Sequence, residues 1–224
     1  MAAPLPSVTG ILQAVGLTPD FRFVQEETLD RARARGKALH KAIAFHDKGT
    51  LDESSLHPEI EPGFRAYLAF VKATEHVSLA SELELVHPQW NYIGHPDRVG
   101  LCHGLRCLCD WKYVSGFPTG YVRLQLAGYR LLWNATHPAE PIDRSFGIHL
   151  KRDGTYALHD LGDSESEQIF LASLVVYRAL ENQGQNIVRQ AMFQLDDAWR
   201  KVKDVQIKDM MFTKGVTPRA AHPG

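Results

Sequence analysis

Cysteine is scarce in this chain. Only three occur in 224 residues, at Cys102, Cys107 and Cys109, so close together that they cannot staple distant parts of the fold. An odd, clustered set points to a reducing compartment rather than a disulfide scaffold. Net charge is also nearly absent: 25 Lys+Arg stand against 26 Asp+Glu, for a formal −1. That excludes a uniformly basic nucleic-acid coat, though not local basic patches. No apolar run approaches the roughly 18 residues of a membrane span. The first residues, Met1-Ala2-Ala3-Pro4-Leu5-Pro6, lack the basic start and apolar core of a secretory leader. No internal repeat is visible. These absences lead to an expectation of a cytoplasmic protein with no membrane partner.

What remains is ordinary globular composition, with 44% hydrophobic and 23% charged residues. The length predicts one domain over residues 1–205 and a polar C-terminal tail over 206–224. A short helix is expected from Ser7, a good cap, to Gly16, a good terminator. A long helix is expected over 26–47, with Glu26 and Glu27 at the positive end of its dipole. Residues 48–61 read as a loop, and Pro62 as the opening of a third helix with Phe64, Leu68 and Val71 on one face. Alternation then predicts strands over 79–87, 92–102 and 105–114, the last two joined at His103-Gly104. A helix over 119–134, a hairpin around Asp153-Gly154 and helices over 164–183 and 186–203 complete the reading. This order fits an α/β protein: a mixed central sheet flanked by helices, with an N-terminal helical part.

The hairpin carries the chemistry. Asp110 and Lys112 are two apart in a strand, so both side chains point to one face. A two-residue turn at His103-Gly104 pairs Cys102 with Leu105, so paired residue numbers sum to 207. Asp97 and Asp110 obey that sum and face each other, at about 4.5–5.5 Å for cross-strand neighbours. Facing carboxylates repel each other unless a cation lies between them. Oxygen ligands of this kind suit Mg²⁺ or Mn²⁺. A lysine on the same face can orient a metal-bound water or help deprotonate it, in outline a phosphodiester-hydrolysis site.

Gly94-x-x-Asp97 followed by Asp110-x-Lys112 in the next strand resembles the PD-(D/E)XK nuclease superfamily. Flanking segments resemble its RecB-like exonuclease branch. Pro6-Ser7-Val8-Thr9-Gly10-Ile11-Leu12 is similar to the start of phage exonucleases and of the mitochondrial genome maintenance exonuclease family. Arg35-Gly36-Lys37-Ala38-Leu39-His40 resembles the branch's helix with its metal-site histidine. Asn91-Tyr92-Ile93-Gly94, Gln125-x-x-x-Tyr129 and Ser81-Glu82 resemble further motifs in the same order. The likeness covers about residues 5–180 and implies a restriction-endonuclease-like fold.

The resemblance implies that Asp97, Asp110, the Trp111 carbonyl and His40 bind the metal. It implies that Glu82 holds Lys112 or a metal-bound water, with Glu84 as its competitor. Gln125 and Tyr129, one helical turn apart, would contact the scissile strand or orient the catalytic groups. The implied activity is that of a metal-dependent DNA exonuclease acting on single strands or free ends, in recombination, repair or mobile-element processing, alongside a recombination or repair partner. The alternatives are a structure-specific endonuclease of the same fold and a non-catalytic nucleic-acid-binding module. Iron–sulfur members of the branch place one cysteine early and three late. Here all three sit in the hairpin, so no iron–sulfur cluster is expected. Cys107 and Cys109 alternate with Leu108 and Asp110 and so point to the core side; they read as small buried hydrophobes, with a zinc site as the alternative.

Charge is segregated along the chain. Residues 31–41 hold Arg31, Arg33, Arg35, Lys37 and Lys41 and no acid. On a helical projection Arg33 and Lys37 lie within about 60° of His40. Positive charge therefore gathers beside the expected metal face, where a phosphate backbone needs it.

Overall fold

The computed structural model describes residues 4–81 and 83–183. The chain divides into two compact units, Met1–Leu174 and Val175–Gly224, and the first holds the sheet and the candidate site. The helix expected over 186–203, the polar tail and the domain boundary at 205 lie outside the described residues. So does Glu82. No helix among the described residues is long and apolar enough to cross a membrane.

Helix α1 (Val8–Ala14) begins at Ser7, whose hydroxyl accepts from the Gly10 amide at 3.0 Å. That bond satisfies one of the orphan N–H groups of the first turn. Helix α2 (Glu26–Asp47) has the expected bounds. Helix α3 (Glu61–Thr74) carries Pro62 in its first turn, where the missing N–H costs nothing. Its buried face differs from expectation. Phe64, Tyr67 and Phe70 are fully buried, whereas Leu68 and Val71 are only partly covered. The stripe is rotated toward the aromatic residues, which carry the larger area to remove from water.

Five strands form the main sheet in the order β1-β4-β5-β6-β7. They are β1 (Val77–Ser81), β4 (Arg98–Cys102), β5 (Leu105–Lys112), β6 (Arg144–Leu150) and β7 (Tyr156–Asp160). The β5–β6 pair is parallel and the others antiparallel, so the sheet is mixed. Helix α4 (Thr119–Thr136) makes the β5-to-β6 crossover that a parallel pair requires. Helix α5 (Ser164–Gln183) follows β7.

Two expected strands are each split. The run 79–87 becomes β1 and the short β2 (Leu85–Val86), and the run 92–102 becomes β3 (Ile93–Gly94) and β4. β2 and β3 pair with each other in a separate small sheet. Pro96 gives the physical reason for the second break: it has no N–H for a ladder. The first break follows from it, because β1 pairs with β4 while β2 pairs with β3.

The hairpin register is as expected. Cys102 pairs with Leu105, Gly100 with Cys107 and Arg98 with Cys109, all summing to 207. Both turn residues have positive φ, 48° at His103 and 79° at Gly104, the backbone of a type I′ hairpin turn. One face of β4–β5 carries Cys102, Cys107, Cys109 and Trp111 into a core shared with Leu39 and Ile43 of α2 and Phe64, Tyr67 and Phe70 of α3. The opposite face carries Leu108, Asp110 and Lys112. The sheet thus lies between α2 and α3 on one side and α4 on the other.

Candidate metal and catalytic site

Four elements converge at the C-terminal end of β5. Asp97 sits one residue before β4, just past the last ladder pair. Its Oδ2 accepts from the Trp111 amide at 3.2 Å, which anchors the carboxylate beside β5. His40 comes from α2, one residue after the fully buried Leu39, which fixes the helix against the core. Its Nδ1 lies 3.7 Å from Asp97 Oδ2, and its Nε2 lies 3.2 Å from the Trp111 carbonyl oxygen. With the proton on Nε2, the ring donates to that carbonyl and turns its Nδ1 lone pair toward Asp97.

Asp110 is almost completely buried, at 1% side-chain exposure. Lys112 donates from Nζ to Asp110 Oδ1 at 2.9 Å. Nζ also lies 2.7 Å from Oδ2. The ammonium thus spans both oxygens of the carboxylate. Burial pushes the Asp110 carboxyl up to about 6; the Lys112 charge opposes this and the Asp97 charge adds to it. Burial by itself would lower the Lys112 ammonium, but Asp110 and Asp97 outweigh it and hold the group charged beyond the ordinary lysine range. The outcome is one buried and one partly buried carboxylate, with the Lys112 ammonium ion-paired to the buried one and the Asp97 and His40 side chains in its field.

These residues fit a divalent cation. Two carboxylates, an imidazole nitrogen and a backbone carbonyl make a mainly oxygen donor set. The particular observation in favour is the crowding of negative charge: the Asp97 carboxylate pushes the buried Asp110 carboxyl further up, a repulsion that a cation between them relieves.

Helix α4 supplies the wall of the site. Gln125 donates from Nε2 to the Tyr129 hydroxyl at 3.2 Å, and both side chains are buried. Gln125 Oε1 has no partner among the described residues. Burial raises the Tyr129 hydroxyl, and the charges of Asp110 and Asp97 push the same way. Gly94 makes this placement possible: a Cβ there would lie 2.6 Å from Leu132 Cδ1 and 2.9 Å from the Tyr129 ring. Tyr92 of the same segment donates to the Gly128 carbonyl at 2.9 Å, tying it to α4.

Glu84 is exposed and pairs with His95 at 3.0 Å. Arg33 is exposed and pairs with Asp30 on its own helix at 2.9 Å. Arg31 and Arg35 both face Glu59. Lys37 and Lys41 are exposed on α2.

Sequence reasoning missed Tyr121. Its hydroxyl is raised first by burial, lowered by Lys112 and raised by Asp110 and Asp97, which places it in the field of the site. The signal was present, since Tyr121 stands four residues before Gln125 and so one turn along the same helix face. Arg98 was also missed. It is 2% exposed, pairs with Asp47 at the end of α2 and lies 5.9 Å from the centre of the Trp111 ring. Tyr67 also donates to Asp47. This network fixes the end of α2 to the strand that follows Asp97.

No family model matches the chain, and no curated protein matches it. Among solved structures it is similar to the alkaline exonuclease LHK-Exo from Laribacter hongkongensis, at 13% identity and a TM-score of 0.38, over 66% of this chain and 72% of that one. It is also similar to LHK-Exo in complex with dAMP, at 11% identity and a TM-score of 0.43, over 90% of this chain and 94% of that one.

Proposed function

We propose that the chain is a metal-dependent DNA nuclease that hydrolyses phosphodiester bonds from free ends, with single strands or frayed ends as substrate. One observation carries the reading. His40, Asp97, Asp110, the Trp111 carbonyl and Lys112 come from α2, the β3–β4 link and β5, yet meet at the end of a single strand. A bare sheet gains nothing from two carboxylates and a buried lysine there, so the arrangement calls for a ligand that uses them.

His40, Asp97, Asp110 and the Trp111 carbonyl would hold Mg²⁺ or Mn²⁺. Such an ion lowers the pKa of a bound water and polarises a phosphoryl oxygen. The remaining chemistry belongs to the chain. Lys112, charged and fixed on Asp110, orients the attacking water and offsets the negative charge that grows on the phosphate. Water adds its oxygen to phosphorus and gives up a proton to solvent, the phosphorus–oxygen bond to the leaving sugar breaks, and that sugar oxygen takes up a proton from solvent. Gln125 offers its unbonded Oε1 and, with Tyr129 and Tyr121, forms the polar wall of α4 against which the strand is positioned. Glu82 is assigned the role of holding Lys112 or the attacking water. Lys37 and Arg33 extend the positive track along α2 toward the phosphate backbone.

The test is digestion of end-labelled single- and double-stranded DNA, with Mg²⁺ or Mn²⁺ or with excess EDTA. A ladder of shortened products that EDTA abolishes is the expected result. Covalently closed single-stranded circles should survive. Cleaved circles would make the protein an endonuclease. Retarded but uncut DNA would make it a binding module.

A further inference from the structure

The back of the same hairpin carries a second cluster of ligand-type side chains that phosphodiester hydrolysis does not use. His76, Cys102, Cys107 and Cys109 are all buried, and one ligand atom from each lies within 4.8 Å of all the others. His76 Nδ1 is 3.4 Å from Cys102 Sγ and 4.0 Å from Cys107 Sγ. Cys107 Sγ is 3.7 Å from Cys109 Sγ and 2.8 Å from Cys102 Sγ. Zinc held tetrahedrally at its usual bond lengths separates sulfur from sulfur by about 3.8 Å and sulfur from nitrogen by about 3.6 Å. Three of these four separations already lie near those values, and the remaining two of the six, His76 to Cys109 and Cys102 to Cys109, fall within 4.8 Å. The Cys102–Cys107 pair must open by roughly 1 Å.

The backbone is shaped to bring the fourth ligand in. Helix α3 is closed after Thr74 by Glu75, with a left-handed φ of 51°, and the next residue, His76, turns into the core. Its ring lies against β4 where the strand has no side chain: a Cβ on Gly100 would come within 2.4 Å of His76 Cε1. The imidazole is otherwise poorly satisfied. Only thiols surround Nδ1, and Nε2 has no partner among the described residues. A buried imidazole with so few hydrogen bonds needs another interaction.

We propose that His76, Cys102, Cys107 and Cys109 bind one structural zinc ion behind the catalytic hairpin. Three thiolates and one imidazole select zinc over Mg²⁺ or Ca²⁺, and a full set of four protein ligands leaves no open position. The thiol protons leave to solvent as the metal enters. The ion would tie the α3–β1 turn to β4 and β5 and so lock the register of β5. Asp110 and Lys112 project from the other face of that strand. The sequence hides this site because His76 lies 26 residues before Cys102, outside any short zinc-binding pattern.

Metal content of the purified full-length chain tests the site without reference to cleavage. After dialysis against excess EDTA, which strips an open oxygen-ligated site, mass spectrometry should find about one zinc per chain. Stoichiometric mercurial reagent should release it, and Co²⁺ exchanged into the wild type should give the visible absorption of tetrahedral cobalt–thiolate. Cys109→Ser should lose the zinc, whereas Asp110→Asn, on the opposite face, should keep it. Zinc-free wild type with three titratable thiols would overturn the proposal, as would a Cys102–Cys107 disulfide in mapped peptides. Zinc lost from Asp110→Asn but kept in Cys109→Ser would overturn it too.

Discussion

Gly94→Ala is the sharpest probe of how the fold aims α4 at the site. The added methyl carbon would sit 2.6 Å from Leu132 Cδ1 and 2.9 Å from the Tyr129 ring, far inside van der Waals contact. Leu132 is fully buried and Tyr129 nearly so, so neither can swing into solvent. Either α4 moves away from β3 or both side chains leave their rotamers. Overpacking of this kind costs about 1–3 kcal/mol. For a chain of this size, each kcal/mol lowers Tm by about 2–4 °C, so the expected drop is roughly 2–12 °C. Cleavage should fall well beyond what the lost stability explains, because Tyr129 carries the Gln125 contact with it. A double-mutant cycle isolates the clash. Leu132→Ala alone leaves a cavity worth about 2–5 kcal/mol, which the methyl group added by Gly94→Ala partly fills. The double variant should therefore be more stable than the sum of the single changes predicts, by at least about 0.5 kcal/mol. Strict additivity in thermal melts would show that residue 94 does not press on α4 and would refute the clash.

Three further outcomes follow from the same geometry. Mn²⁺ at about a hundred times its dissociation constant should stabilise the EDTA-treated protein by about 2.7 kcal/mol, a Tm rise of roughly 5–11 °C; Asp97→Asn should abolish the rise, and an equal rise in that variant would place the ion elsewhere. Arg98→Met breaks a buried ion pair, for which the usual cost is about 3–5 kcal/mol. The Asp47 side chain keeps 16% exposure and its bond from Tyr67, so urea denaturation should report the lower end of that range; a loss below about 1 kcal/mol would contradict the network. Lys37→Ala should weaken DNA binding for all sequences alike and reduce the slope of log affinity against log salt by about one, and an unchanged slope would remove α2 from the track.

The hairpin was legible because its information is local. His103-Gly104 sets a two-residue turn, the turn sets the register, and the register runs to the Arg98–Cys109 pair, one residue short of Asp97 and Asp110. Helix α2 was legible from Glu26 and Glu27 at its positive end and the Lys48-Gly49 stop that follows Asp47. The small β2–β3 sheet was not, because alternation continues through residues 83–87 while the pairing partner changes. His76 and Arg98 were illegible for a different reason. Each acts through a contact with a residue tens of positions away, and neither sits at a spacing that marks a site. His40 stands between these cases: only the resemblance singled it out among eleven histidines, and its ring does lie between Asp97 and the Trp111 carbonyl. The basic run on α2 was visible, but part of it is neutralised by Glu59 and Asp30, which no composition count could foresee.

The central claim is that Asp110 and Lys112 form a hydrolytic centre that works with a divalent ion. The most direct measurement is the single-turnover rate on end-labelled single-stranded DNA with saturating Mn²⁺, for wild type, Lys112→Ala and Asp110→Asn, each checked for folding by circular dichroism. Wild type should shorten the strand progressively, and both folded variants should lose about 10²-fold or more in rate. Equal digestion by wild type and Lys112→Ala would contradict the claim.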